Sequence, residues 1–326
     1  MRATTLPEWL VERGIGEIRS ALVENGEIIE ARIELDGTVP AGSVIKARLV
    51  NLGVEGRNAT AVSEGGGEYL LPKGAPGIPQ GATLTIEVTR EAIPGTELWK
   101  LPLARVSSNR PKEAHSPAKF GTRQLVFPSP SDELAEAGWN DLVDQARTGE
   151  ITFAGGELRI SPTAAMTLID VDGYLPPEQL SVLGAGEAAL AINRLDIGGS
   201  IGIDLPTSRS RVARQAAAQA IDSALAQPFE RTAVNGFGFI QIVRPRSHAS
   251  LIELAQDRAS FEARAFLRRV ATEGPGAKRL VAHPAIVAVL EGRSDWLEAL
   301  ARQVGGAVDL RADASLPMSS GHAETS

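Results

Sequence analysis

Two short apolar runs carry acids where a buried strand should carry none: Met166-Thr-Leu-Ile-Asp170-Val-Asp172-Gly173 and Ser200-Ile-Gly-Ile-Asp204-Leu-Pro-Thr207. Aliphatic and β-branched residues dominate both, and Gly or Pro closes each, so both are predicted strands. Burying an unpaired carboxylate costs several kcal/mol. Each acid therefore needs an ion partner, a metal, or an exit to solvent. The acids sit near the carboxyl ends of their strands, where open α/β sheets place ligands. Two carboxylates brought together there repel, and an oxygen-only ligand set favours Mg²⁺ or Mn²⁺ as the relief. The alternative is that the acids cap turns or the helix expected after Ser208.

A chain of 326 residues, 43% of them apolar, allows roughly two or three domains with sizeable cores. A net charge of −7 argues against indiscriminate duplex binding, which rests on neutralising many phosphates, and leaves room for a local basic strip. Cysteine is absent, so there is neither a disulfide framework nor a thiolate metal site. No apolar run reaches the about 20 residues that span a bilayer, and Met1 to Leu10 hold no signal-peptide core. The expectation is a cytoplasmic chain with no membrane partner. His115, His248, His283 and His322 are scattered without a nucleophile–base pattern, and no phosphate-cradling Gly-Lys-Ser/Thr loop occurs.

Residues 15–36 alternate as a hairpin about Asn25-Gly26. Short strands at 44–50, 59–62, 69–71, 84–89 and 99–106, with turns such as Glu64-Gly-Gly-Gly-Glu68, predict a small barrel of the OB type. Residues 107–133 read as a linker, 132–147 as a helix capped by Ser131, and 150–160 as a hairpin through Gly155-Gly156. A helix over 251–273 follows, with Leu251, Leu254, Phe261, Phe266 and Val270 apolar; then come a strand, a helix and a strand over 278–313.

Several of these segments carry a likeness. Ser161-Pro-Thr-Ala-Ala-Met-Thr-Leu-Ile-Asp170-Val-Asp172, the Ala-rich stretch from Glu187 to Leu195, and Asp196-Ile-Gly-Gly-Ser-Ile-Gly-Ile-Asp204 together resemble the catalytic core of the ribonuclease E/G family. That family's pattern runs from a Thr-Glu-Ala lead-in to Ile-Asp-Ile/Val-Asn, then a helix, then Gly-Gly-Leu-Ile-Val-Ile-Asp. Phe237-Gly-Phe-Ile-Gln-Ile-Val-Arg244-Pro-Arg246 is similar to its Phe-Gly-Leu-Leu-Glu-Met-Ser-Arg-Gln-Arg strand. The stretches Ala282 to Leu290 and Asp309 to Pro317 resemble its small terminal domain, and Gly16 to Glu34 its opening hairpin. The matches are collinear over most of the chain.

The resemblance implies an α+β and α/β multidomain fold. An RNase H-like subdomain would use 1–38 and 134–160, with an inserted OB-type barrel at 39–108. A linker at 109–133 would replace the family's 5′-monophosphate sensor. A DNase I-like α/β catalytic subdomain would follow at 161–250, then a helix plus a small α/β domain at 251–317 and a disordered tail at 318–326. In that family two Asp hold one Mg²⁺ and RNA is cut to 5′-phosphate and 3′-hydroxyl ends. The likeness gives that role to Asp170 and Asp204.

The departures bear on activity. Asp172 stands where the family has Asn, and an ionised Asp172 would repel phosphate unless it bound metal or stayed protonated. The family's Arg- and Asn-bearing loop is replaced by Gly173-Tyr-Leu-Pro-Pro-Glu-Gln. That leaves Arg209, Arg211 and Arg214, then Arg244 and Arg246, as RNA contacts or as a solvated face. In the barrel only Tyr69 and Trp99 offer stacking rings, which core packing explains equally well. The zinc-binding Cys-x-x-Cys gives way to Arg246-Ser-His248-Ala-Ser250, so zinc and a zinc-linked tetramer are excluded, His248 reads as a surface residue, and a homodimer stays open. The leading expectation is a Mg²⁺-dependent endoribonuclease for single-stranded RNA, with Mn²⁺ a possible substitute. Two alternatives stay open. One is a catalytically silent RNA-binding protein of the same fold; the other is an acid/base pair acting on another phosphoester or a glycoside.

Overall fold

Alternation sets the first sheet. Strands β1 (Glu8–Arg13), β2 (Glu17–Glu24) and β3 (Glu27–Leu35) run antiparallel. β2 turns into β3 at Asn25 and Gly26, whose φ values of 54° and 85° are those of the type I′ turn that Asn-Gly favours. The computed structural model describes residues 6–94, 100–114, 122–129 and 131–325. Strands β4 (Val44–Asn51), β5 (Ala59–Ser63), β6 (Glu68–Leu71), β7 (Thr83–Arg90) and β8 (Leu103–Val106) close a barrel in the order β4-β5-β6-β8-β7. Its interior is filled by Leu49, Ala59, Ala61, Leu71 and Ile86, the alternate inward residues of each strand.

Part of the expected linker is a strand: β9 (Thr122–Leu125) pairs parallel with β1 at the edge of the first sheet. The helix expected over 132–147 is two, α1 (Glu133–Glu136) and α2 (Trp139–Thr148), separated at Gly138 with φ of 101°. Asp132, not Ser131, caps α1 by accepting from the Ala135 N–H at 2.9 Å.

The second large sheet carries the acids. It is built from β10 (Glu150–Phe153), β11 (Gly156–Pro162), β12 (Thr167–Gly173), β13 (Gly199–Asp204), β14 (Glu230–Arg231) and β15 (Phe239–Arg244), in the order β10-β11-β12-β13-β15-β14. Helix α3 (Pro177–Arg194) connects the parallel pair β12 and β13, and α4 (Arg211–Ala224) follows β13. The hairpin at 150–160, which the resemblance would join to the N-terminal sheet, instead lies on the edge of this one. β11 pairs with β12 along seven residues, and Ile151, Leu158 and Ile160 are buried.

The C-terminal segment holds α5 (Leu251–Leu254), α6 (Arg258–Thr272), β16 (Lys278–Ala282), α7 (Pro284–Glu291), α8 (Ser294–Val304), β17 (Val308–Ala312) and β18 (His322–Thr325). The helix expected over 251–273 is interrupted before Asp257, whose side chain caps α6. The tail expected to be disordered includes β18, paired antiparallel with β16. Leu280 and Ala282 from β16 pack with Phe266, Ile286, Trp296 and Leu300 in one core.

The protein is thus a mixed α+β chain with several sheets and a closed five-strand barrel, and it divides into two units. One unit gathers β1–β3, β9, α1, α2, α6–α8 and β16–β18; the other holds the barrel and the acid-bearing sheet. In the first unit α6 buries charge as well as apolar surface. Arg264 donates to Glu17 at 2.8 Å, and Arg268 to Glu12 at 3.0 Å and Asp132 at 2.7 Å, while Arg19 joins Glu17 at 2.7 Å and also pairs with Glu12. Arg19 and Arg268 each lie 5.4 Å from the Phe127 ring centroid. No helix among the described residues is long and apolar enough to cross a membrane.

Candidate active site

Period-two alternation places the acids. In β12, Thr167, Ile169 and Val171 are buried, while Leu168, Asp170 and Asp172 are exposed. The buried set faces α3, so closely that an alanine at Gly184 would collide with Val171. The acids therefore lie on the other, uncovered face and take the exit to solvent. Each fully buried Ile or Val on the covered face contributes about 1.5–3 kcal/mol, which fixes the register and with it the outward aim of the carboxylates.

Asp170 and Asp204 are direct partners across the parallel β12–β13 pair. In-register neighbours on strands about 4.8 Å apart carry their side chains on one face. Among the described residues neither carboxylate has a hydrogen-bond or ion-pair partner. On the far side of Asp170 its antiparallel partner is Arg159, whose guanidinium is taken by Glu157 at 2.5 Å. Hydrogen bonding and charge from Glu157, with further charge from Glu150 and Asp172, hold Arg159 above its ordinary pKa. Asp172 faces Glu157 across β11, and its Oδ1 accepts from the Gly173 N–H at 2.7 Å. Its carboxylate is thus turned to the strand end, and among the described residues no three-ligand cage of His, Cys, Asp or Glu is assembled.

The donor set suits a hard divalent cation of the Mg²⁺ kind, which takes one or two carboxylates and keeps several waters. Asp170 and Asp204 are accessible, all-oxygen and unpaired, and their mutual repulsion is what such an ion relieves.

The arginines fall into two groups at opposite ends of the sheet. Arg209 and Arg211 are exposed at the start of α4, just beyond Asp204. Arg214 donates to the Ser208 carbonyl at 2.7 Å, and Ser210 caps the helix through the Ala213 N–H at 3.2 Å. These stand at the acid end, where the positive end of the helix dipole adds to them. β15, however, runs antiparallel to β13: Phe239 is the partner of Asp204, and Arg244 is that of Gly199. Arg244 is therefore about 17 Å along the strand from the acids and donates to the Ile197 carbonyl at 2.9 Å. Arg246 is paired with Glu253. The basic strip expected to run from Arg214 to Arg246 is not formed.

Other expectations change as well. Tyr69 is 4% exposed in the barrel core, and burial raises its pKa, so its ring is closed to stacking. Trp99 lies outside the described residues. His248 is a partly buried ring that bonds Ser247 Oγ through Nδ1 at 2.8 Å and Asp196 through Nε2. Asp196 is remote in sequence, which is why the histidine read as solitary.

The uncovered face also holds residues that the sequence reading passed over. Phe239 and Leu168 lie over Gly202, where an added Cβ would stand 2.5 Å from the Phe239 ring and 3.0 Å from the Leu168 side chain. They floor the surface one register step behind Asp170 and Asp204. Tyr174 and Phe237 follow and precede the same strand ends and are exposed. No protein-family model and no curated protein matches the chain.

Proposed function

We propose that this protein is a metal-dependent endoribonuclease for single-stranded RNA, cutting to 5′-phosphate and 3′-hydroxyl ends, with Asp170 and Asp204 as its metal ligands. One observation carries the reading: two unpaired carboxylates are in register on adjacent parallel strands, on a solvent-facing surface at the strands' carboxyl ends. The collinear likeness to the ribonuclease E/G family supports it, and under that likeness the barrel is OB-type and RNA-binding, the acid-bearing sheet DNase I-like and the N-terminal sheet RNase H-like.

The chain's own residues divide the work. Asp170 and Asp204 would hold Mg²⁺, which when bound lowers the pKa of its water and offsets charge building on the phosphate. Arg209, Arg211 and the α4 N-terminus put positive charge beyond Asp204, where a phosphodiester approaching the acids needs it. Ile169 and Val171, packed beneath, keep the carboxylates from turning inward.

The test is cleavage of a 5′-labelled, unstructured, A/U-rich RNA. Cutting is expected with Mg²⁺ and absent with EDTA, and the product ladder should carry 3′-hydroxyl ends. Cutting that persists in EDTA would sink the metal assignment.

A second reading, a silent RNA-binding protein of the same fold, is favoured by Asp172 in the place of the family's Asn. Its charge can be removed without disturbing the strand end, because an Asn Oδ1 still accepts from the Gly173 N–H. One exposed charge about 6 Å from a phosphate is worth roughly 0.7 kcal/mol in water. Asp172→Asn is therefore expected to raise kcat/KM for RNA about threefold at low salt, with the gain fading as salt is added. A fall in kcat/KM would give Asp172 a positive role in the chemistry, and cleavage seen only in the variant would favour the silent reading.

A further inference from the structure

We propose that Tyr174 and Phe237 are nucleobase-stacking platforms on either side of Asp204, so that the site takes an unpaired RNA strand and grips it by its base planes. The inference deepens the reading of the Asp170–Asp204 edge as an RNA site, on which it rests. The chain is poor in aromatics, at 4%. Among the described residues Trp139, Tyr69, Phe261, Phe266 and Trp296 are buried, whereas Tyr174 is 84% and Phe237 81% exposed. A single exposed ring needs no explanation. Two that frame one carboxylate pair do.

Their backbones are fixed. Tyr174 follows β12 directly, and its N–H donates to the Gly155 carbonyl at 3.2 Å. Phe237 belongs to the turn ahead of β15, where Asn235 Oδ1 accepts from the Phe237 N–H at 2.9 Å and the Phe239 N–H at 3.0 Å. That turn is tied to the loop after Asp204: Thr207 Oγ1 donates to the Phe237 carbonyl at 3.0 Å, and the Leu205 N–H to the Gly238 carbonyl at 3.2 Å. Gly238, at φ 96°, has no room for a Cβ against the Leu205 carbonyl.

β12 and β15 are the two neighbours of β13, about 10 Å apart across the sheet. Tyr174 follows Asp204's partner on β12 by four residues and Phe237 precedes its partner on β15 by two, so both rings stem from the strand-end edge just beyond the carboxylates. Stacking tolerates any base and requires it to be unpaired. It also supplies grip where phosphate contacts are thin, since Asp170, Asp172 and Asp204 make this face acidic, the exposed Arg159 is taken by Glu157, and Arg209 and Arg211 stand exposed just beyond Asp204. The occupant that meets both features is a single strand, its bases on the rings and its phosphate toward the arginines.

The experiment measures fluorescence anisotropy of a labelled A/U-rich RNA, single-stranded or annealed to its complement, with the full chain carrying Asp204→Asn in Mg²⁺, so that cleavage does not consume the probe. Tyr174→Leu and Phe237→Leu are each expected to weaken single-strand binding about tenfold. Duplex binding should change little, and Tyr174→Phe and Phe237→Trp should restore affinity. Circular dichroism verifies the fold, and sedimentation verifies the mass. Three outcomes would overturn the proposal: unchanged single-strand affinity in the Leu variants, no RNA binding by the Asp204→Asn chain, or a Leu variant that changes only the sedimenting mass, which would make the rings a contact between copies. The two ideas fail separately. Lost stacking with no Mg²⁺-dependent cutting by the unaltered chain leaves an RNA site without nuclease chemistry. Intact cutting with indifferent Leu variants removes only the platforms.

Discussion

Asp204→Asn is expected to lower Mg²⁺-dependent RNA cleavage about 10³-fold while leaving the protein as stable as before or slightly more so. The loss follows from what one carboxylate does at this edge. A metal's stabilisation of a phosphoryl transition state amounts to several kcal/mol, and about 4 kcal/mol corresponds to about 10³ in rate. Asp204 supplies half of the carboxylate pair that would hold the ion. The stability change has the opposite sign because Asp170 and Asp204 are like charges facing each other across β12 and β13 without a compensating partner among the described residues. Such pairs cost a few tenths of a kcal/mol to about 1 kcal/mol. A purely structural acid would behave otherwise: its amide would lower the melting temperature and leave any RNA cleavage alone. Kinetics and a thermal melt of one variant therefore separate the two roles, and unaltered cleavage with a lowered Tm would remove Asp204 from the active site.

The elements that local chemistry dictates could be read from the chain. Asn25-Gly26 forced a hairpin, and alternation over residues 44–106 predicted barrel strands from 44, 59 and 84, which form as Val44–Asn51, Ala59–Ser63 and Thr83–Arg90. The acid-bearing strands were legible for the same reason; their parallel pairing is set by α3, which crosses over between them. The direction of β15 was not. Nothing local distinguishes a strand that carries Arg244 toward the acids from one that carries it away, and the antiparallel pairing with β13 decides it. Burial of whole charged residues was equally hidden. Arg264 and Arg268 lie one helical turn apart on α6 and look like a solvated stripe, yet their partners Glu17 and Glu12 are 247 and 256 residues away in the chain. Pro and Ser density made 109–133, and terminal position made 318–326, read as unstructured, whereas β9 and β18 gain their order by adding to sheet edges that already exist. Exposed aromatics escaped notice because a ring in sequence reads as core by default.

Arg19→Met is expected to destabilise the unit that contains α6 by about 3–5 kcal/mol at neutral pH, the cost of leaving a buried charge uncompensated. Arg19, Arg264 and Arg268 balance Glu12, Glu17 and Asp132, and Arg19 is 1% exposed. Removing one cation leaves a net negative charge inside the protein. Methionine keeps the aliphatic stem, so packing loss is small. Adding Glu17→Gln to Arg19→Met restores neutrality and should recover at least half of the loss, measured by urea unfolding. The pH dependence follows from the same balance. Burial alone would raise the Glu17 carboxyl, but Arg19 and Arg264 override it and hold it below its ordinary value of 4.5. Burial would likewise raise Asp132, and hydrogen bonds from Arg268 and the Ala135 N–H outweigh it, leaving that carboxyl below 3.8. Carboxyls depressed by folding add stability that is complete above their unfolded values and is lost as pH falls through the folded ones. The unaltered chain should therefore hold these contributions down to about pH 5 and lose them on further acidification. In Arg19→Met burial weighs more heavily on Glu17 and its carboxyl moves up, so Glu17 contributes less at neutral pH and less stability is lost on acidification. The double variant, lacking that carboxyl, should show no pH dependence from this position. If Glu17→Gln instead deepens the destabilisation of Arg19→Met, the six residues act as separate hydrogen bonds and not as one charge-balanced cluster.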